Sequence, residues 1–226
     1  MLVQVYAVKS IQDMQLCIDA GLDRWGLEVG TKGIMPNETG FEKTREIFAA
    51  TPAPYAKMAL SIETDLDALT EIAEETRPDI LHLCGDIRQL PPVRVKELRQ
   101  RIPEVAIVQA IPMAGPDAVD IAAAYDEVAD MLLLDSVAPN VVGIGIAGVT
   151  HDWSLSRKIV EQSKKPCILA GGLSPENVAE AIRAVRPWGV DSNTHTCVPG
   201  TWTKDFGRMR EFVQAARAAD LALQSR

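Results

Sequence analysis

Apolar positions along the chain alternate between two spacings. Short runs rich in Val, Ile and Leu have the length and composition of buried strands: Leu2 to Val8, Trp25 to Gly30, Tyr55 to Ser61, Ile80 to Cys84, Val105 to Ile111, Met131 to Leu134 and Cys167 to Leu169. After each comes a stretch whose apolar residues recur three or four apart, as in Ile11, Met14 and Ile18, or Leu66, Leu69, Ile72 and Ala73. That spacing lays one apolar stripe along a helix. The same pattern predicts helices over Phe41 to Ala50, Val93 to Ile102 and Ala118 to Tyr125, and a helix carrying Leu155, Ile159 and Val160 behind an Asp152 cap.

The most regular unit is residues 166–191, PCILAGGLSPENVAEAIRAVRPWGVD. A strand enters the Gly171-Gly172 turn, and a helix is expected to start there with Ser174 as N-cap and Pro175 in its first position. Val178, Ala181, Ile182 and Val185 form its apolar face, Pro187 stops it, and Trp188 to Asp191 opens the eighth strand. A last helix runs through Phe206, Met209, Phe212, Val213 and Ala216. Eight strands alternating with eight helices predict a parallel sheet, and the count is that of a closed (βα)8 TIM barrel, read as one domain over residues 1–226.

Charge and cysteine usage narrow the function classes. A net charge of −8 and a pI near 5.0 argue against nucleic acid or an anionic membrane as partner, because phosphate backbones need clustered Lys and Arg. Cys17, Cys84, Cys167 and Cys197 are widely spread, with no C-x-x-C pair, so neither a disulfide framework nor a cysteine-only zinc site is expected. No apolar run reaches membrane length and the N-terminus reads without a signal peptide, which points to the cytoplasm.

Residues 168–191 resemble the seventh and eighth βα units of the phosphoribosylanthranilate isomerase family. Leu132 to Ser136 is similar to that family's sixth strand. Gly145 to Gly148 with Asp152-Trp153 resembles its G-G-T-G…F-D-W loop, and Pro199-Gly200…Lys204-Asp205 its P-G-x-K-D. The resemblance implies a tryptophan-pathway barrel whose substrate is a small phosphorylated sugar derivative. It also implies an Amadori rearrangement, in which an acid protonates the ring oxygen of an aminoaldose and a base removes a proton from the adjacent carbon. A homodimer is an open option.

In a barrel of this kind the active site lies at the C-terminal ends of the strands. Asp135 finishes the sixth strand and matches the family's general acid, although an Asp in that place can also simply cap the next loop. The first-strand V-K-I-C-G is replaced by Val3-Gln4-Val5-Tyr6-Ala7, so Tyr6 stands at the family's catalytic cysteine. A phenol, with its ordinary pKa near 10, suits a hydrogen-bond donor or a core residue better than a base. The fourth-strand Q-L-H-G becomes His82-Leu83-Cys84-Gly85, and the eighth-strand D-V-S-S-G becomes Asp191-Ser192-Asn193-Thr194-His195. Period-two alternation puts His82 with Cys84, and Asp191 with Asn193 and His195, on common faces.

His82 is one candidate for a relocated base. The resemblance assigns phosphate binding to Gly145, Gly148, Gly171 and Gly172, with Asn193, Thr194 and His195 beside them, and the glycine turns supply backbone donors for an anion. Lys32 is the available substitute for the family's S-P-R arginine, which faces the anthranilate carboxylate. No cofactor is required. A divalent metal held by Glu28, His82, Cys84 and His195 is the alternative chemistry. Three readings follow: a sugar-phosphate aldose–ketose isomerase, a metal-dependent aldolase or epimerase on a phosphorylated substrate, and a non-catalytic barrel that binds a phosphorylated ligand.

Overall fold

The computed structural model describes residues 1–137, 143–144 and 148–225. Eight strands, β1 (Leu2–Val5), β2 (Arg24–Glu28), β3 (Met58–Ser61), β4 (Ile80–Leu83), β5 (Ala106–Pro112), β6 (Met131–Asp135), β7 (Cys167–Leu169) and β8 (Gly189–Ser192), pair in parallel in chain order, and β8 closes on β1. Eight helices follow them: α1 (Ile11–Asp19), α2 (Phe41–Ala50), α3 (Leu66–Thr76), α4 (Pro92–Arg101), α5 (Ala118–Asp126), α6 (Trp153–Gln162), α7 (Val178–Val185) and α8 (Phe206–Gln224). The expected (βα)8 barrel is therefore the fold. Among the described residues no helix is long and apolar enough to cross a membrane.

Several strands are shorter than the apolar runs that announce them. β1 ends at Val5 rather than Val8, and β3 begins at Met58 rather than Tyr55. The helix cap expected at Asp152 is present, accepting from the Ser154 N–H, and Ser10 caps α1 in the same way, accepting from the Asp13 N–H. The seventh helix begins later than expected. Ser174 Oγ does accept the Glu176 N–H at 3.2 Å, but residues 175–177 form a turn, and Asn177 is the residue before the helix. Asn177 also folds back, its Oδ1 accepting from the Ser174 N–H at 2.8 Å, so the turn after β7 is closed by side chains.

Alternation along each strand separates two cores. Val3, Val5, Leu81, Leu83, Leu132 and Leu134 face outward and are buried beneath the helices. Tyr6, Met58, Ile80, Val108, Leu133 and Ile168 fill the barrel interior. Burying each such side chain contributes about 1.5–3 kcal/mol, so the outer shell supplies most of the stability and the inside can hold polar groups. Gln4, Arg24, Glu28, His82, Asp135 and Asp191 are all buried.

Candidate active site

Asp135 and Asp191 end or nearly end β6 and β8, and both line the cavity at the mouth of the barrel. Asp135 Oδ1 accepts the Ser136 N–H at 2.7 Å, which leaves Oδ2 without a partner among the described residues. Burial, followed by the negative charge of Asp191, pushes the Asp135 carboxyl up to about 8. Burial also raises Asp191, to about 7, against the Gln4 hydrogen bond, Lys204 and Arg24, which all favour its ionised form. Near neutrality the pair can therefore hold one proton donor and one acceptor in the same pocket.

The sheet register supplies groups that favour the ionised form of Asp191. Gln4 is directly opposite Arg24 on one side and Asp191 on the other. Its Nε2 donates to Asp191 Oδ1 at 3.1 Å, and its Oε1 accepts from Arg24 Nε at 2.8 Å. Arg24 is 4% exposed, so its guanidinium charge acts through one amide on the carboxylate. Neither Gln4 nor Arg24 was expected at the site. A signal existed in the alternation, because Arg24 and Glu28 share a strand face, as do Gln4 and Tyr6.

Tyr6 is 3% exposed, its hydroxyl lies 3.2 Å from Met58 Sδ, and its ring is tilted against His82 with centroids 5.1 Å apart. Burial first, and then Asp191, hold its phenol well above the usual range, so it serves as a neutral wall. His82, the expected relocated base, is a poor one. Burial and the Arg24 charge lower its imidazole to about 3, and Cys84 Sγ lies 3.3 Å from its Nε2. Burial also keeps the Cys84 thiol protonated, well above its usual range.

The four proposed metal ligands are not brought together. Glu28, His82 and Cys84 line the deep part of the cavity, whereas His195 lines the other part. The reason is local: the chain leaves the strand after Ser192 and turns through a short 3-10 helix, Thr194–Thr196, which swings His195 away. Glu28 Oε2 instead accepts the Asn37 N–H at 3.0 Å. Among the described residues no group of three or more His, Cys, Asp or Glu side chains is placed to hold a metal ion.

Asp135, Gly148, Gly171, Gly172, Thr194 and His195 surround the second part of the cavity. Gly171 and Gly172 have φ of +78° and +59°, and a Cβ on Gly172 would lie 2.6 Å from the Val149 carbonyl carbon, so both the turn and the close approach of that loop require glycine. The N–H groups of Gly171, Gly172 and Leu173 have no acceptor among the described residues, which suits the turn to an anion. His195 Nε2 donates to the Gly148 carbonyl at 3.1 Å, so only its other ring nitrogen is free for a ligand. Asn193 Oδ1 accepts from Lys204 Nζ at 3.1 Å, and Asn193 lines both parts of the cavity. Gly145 lies outside the described residues. Lys32 lines neither part: its ammonium is 2.7 Å from Glu63 and its side chain is 56% exposed. His151, at the Phe of F-D-W, sits in the loop before α6; it packs behind Gly171, and its Nε2 is 2.7 Å from Ser156 Oγ.

The family model described as N-(5'-phosphoribosyl)anthranilate (PRA) isomerase matches residues 3–215. The chain belongs to the PRA isomerase family. An N-(5'-phosphoribosyl)anthranilate isomerase of Haloferax volcanii is 36% identical over 220 residues, covering 96% of this chain and 93% of the relative. A second PRA isomerase relative, from Natronomonas pharaonis, is 35% identical, with 95% and 97% covered. The phosphoribosyl anthranilate isomerase structure from Thermus thermophilus superposes with a TM-score of 0.78 at 24% identity, covering 98% of this chain and 100% of that one. Another PRA isomerase structure, at TM-score 0.75 and 23% identity, covers 96% of this chain and 100% of its own. That protein is complexed with reduced 1-(o-carboxyphenylamino)-1-deoxyribulose 5-phosphate. At these identities the structural likeness shows the shared barrel.

Proposed function

We propose that this member of the PRA isomerase family is an aldose–ketose isomerase acting on an N-substituted phosphoribosylamine, with Asp135 as general acid and Asp191 as general base. The observation that carries the reading is that two buried carboxyls, one of them held through Gln4 to Arg24, share one cavity with an anion-receptive glycine turn. Asp135 gives its proton to the ring oxygen as the C1–O bond breaks, and the nitrogen lone pair closes an iminium. Asp191 then takes the C2 proton, and the C–H electron pair forms the enolamine. Return of a proton to C1, and transfer of the enol proton to Asp135, leave the 2-ketone and restore both groups. Substrate and product have the same composition, so no redox partner enters.

Gly171, Gly172 and the Gly148 loop would take the 5-phosphate, which fixes the sugar's reacting end beside the two carboxyls. The test uses an N-aryl phosphoribosylamine formed from ribose 5-phosphate and an arylamine, followed by 13C NMR. Appearance of the ketose carbonyl carbon with wild-type enzyme, and its loss by at least about 100-fold in Asp191→Asn, is the expected result. Absence of the ketose signal at stoichiometric enzyme would refute the reading.

A further inference from the structure

The loop between β8 and α8 brings one more side chain to the site. After the 3-10 turn the chain doubles back as a short hairpin: Cys197 pairs with Lys204 across it, and the Val198 N–H donates to the Thr203 carbonyl at 2.9 Å. Gly200, with a φ of +75°, turns its tip. The hairpin returns Lys204 to the chain that leaves β8, where the residue is 5% exposed.

The Lys204 ammonium forms no salt bridge among the described residues. It donates instead to Asn193 Oδ1 at 3.1 Å and to Cys197 Sγ at 3.4 Å. A lysine is rarely buried without an ion-pair partner, because its charge is costly to take from water. Asn193 has its oxygen engaged by this ammonium, and its Nδ2 has no acceptor among the described residues. Asn193 lines both parts of the cavity, so the donor end of its amide is left for a ligand oxygen. The D-V-S-S-G pattern has a serine at this place, and the amide is a departure of this chain from it.

The same ammonium acts on Asp191. Against burial, the ionised form of Asp191 is favoured by the Gln4 hydrogen bond first, then by the charge of Lys204, then by that of Arg24. The other titratable groups of the cavity supply no positive charge. Tyr6 and Cys84 stay protonated, His82 stays neutral down to about 3, and Asp135 keeps its proton up to about 8. Glu28, raised by burial, is itself drawn toward ionisation by the Asn37 hydrogen bonds and by Lys204.

We propose that Lys204 is a positioning residue of this site: its ammonium orients the Asn193 amide for the ligand and supplies the positive charge that Asp191 meets when it acts as base. The proposal rests on the isomerase reading for the role of Asp191, and titration tests it separately from turnover.

The experiment follows the side-chain carboxyl 13C resonance of Asp191 against pH in aspartate-labelled protein, assigned by its loss in Asp191→Asn. Lys204→Met removes the ammonium, Lys204→Gln removes the charge but keeps a donor for Asn193 Oδ1, and Lys204→Arg keeps both. Circular dichroism confirms the fold of each. The Asp191 midpoint is expected to rise by at least about half a pH unit in the Met and Gln variants and to return close to the wild-type value in Lys204→Arg. With an N-aryl phosphoribosylamine, the acidic limb of kcat/KM should move with the midpoint, and KM should rise more in Lys204→Met than in Lys204→Gln. A midpoint unmoved in both uncharged variants, a midpoint shifted equally in the arginine variant, or equal KM values in the Met and Gln variants would overturn the proposal. Midpoints that shift as expected while no form of the protein, wild type included, makes the ketose contradict the isomerase reading alone.

Discussion

The ring of Tyr6 lies across the backbone of Gly26, so close that a Cβ on Gly26 would be 2.3 Å from Tyr6 Cε1. The missing side chain at Gly26 is thus what makes room on β2 for the aromatic residue that directly follows β1. Gly26→Ala should destabilise the fold by about 1–3 kcal/mol through overpacking. In a Tyr6→Val background the same substitution should be nearly neutral, giving a coupling of at least about 1 kcal/mol in a urea-denaturation cycle. Additive effects would show that the two residues do not share the space.

Ala7, directly after Tyr6, has a φ of +62°, where the V-K-I-C-G pattern has glycine. A Cβ in the left-handed region costs roughly 1 kcal/mol. Ala7→Gly relieves that strain but loosens the unfolded chain, so a net stabilisation of a few tenths of a kcal/mol is expected from denaturant midpoints. A loss of stability would mean that the Ala7 methyl contributes more by packing than it loses by strain.

Burial raises the folded-state pKa of both candidate carboxyls above the ordinary range, to about 8 for Asp135 and about 7 for Asp191. The unfolded chain releases these protons near pH 4, so their stabilising contribution is full below that pH and is lost as pH rises toward 8. Asp135→Asn should accordingly be more stable than wild type at pH 8.5 by at least about 1 kcal/mol, and lose that advantage at acidic pH. A difference independent of pH would contradict the assignment.

Gln4→Glu keeps an acceptor for Arg24 but replaces the donor to Asp191 with a charge. The acidic limb of the kcat/KM profile, which reports ionisation of the base, should move up by about one pH unit or more. A purely structural role for Gln4 would lower the rate without moving the limb.

Much of the barrel is legible in the sequence because each strand is buried on both faces and reads as an apolar run, while each helix shows its stripe. Strand ends are less legible, since a run such as Tyr55 to Ser61 continues into residues buried by neighbouring loops. At the site, Asp135 and the Gly171-Gly172 turn are found where the strand-end logic puts them. Alternation groups His195 with Asp191, and it fails there because the backbone turns after Ser192. His82 looked like a base by residue type, and only three-dimensional burial beside Arg24 removes that property. Gln4 and Arg24 are far apart in sequence from Asp191, and only the closure of β8 on β1 makes one unit of them.

The most direct measurement is the turnover of an N-aryl phosphoribosylamine by Asp135→Asn beside wild type, with circular dichroism to confirm that the fold is kept. An amide in that position still accepts the Ser136 N–H but has no acidic proton to give to the ring oxygen. The expected result is a fall in kcat of at least about 100-fold with ligand binding retained. A variant that turns over at the wild-type rate would contradict the assignment of Asp135 as the acid, and with it the two-carboxyl account.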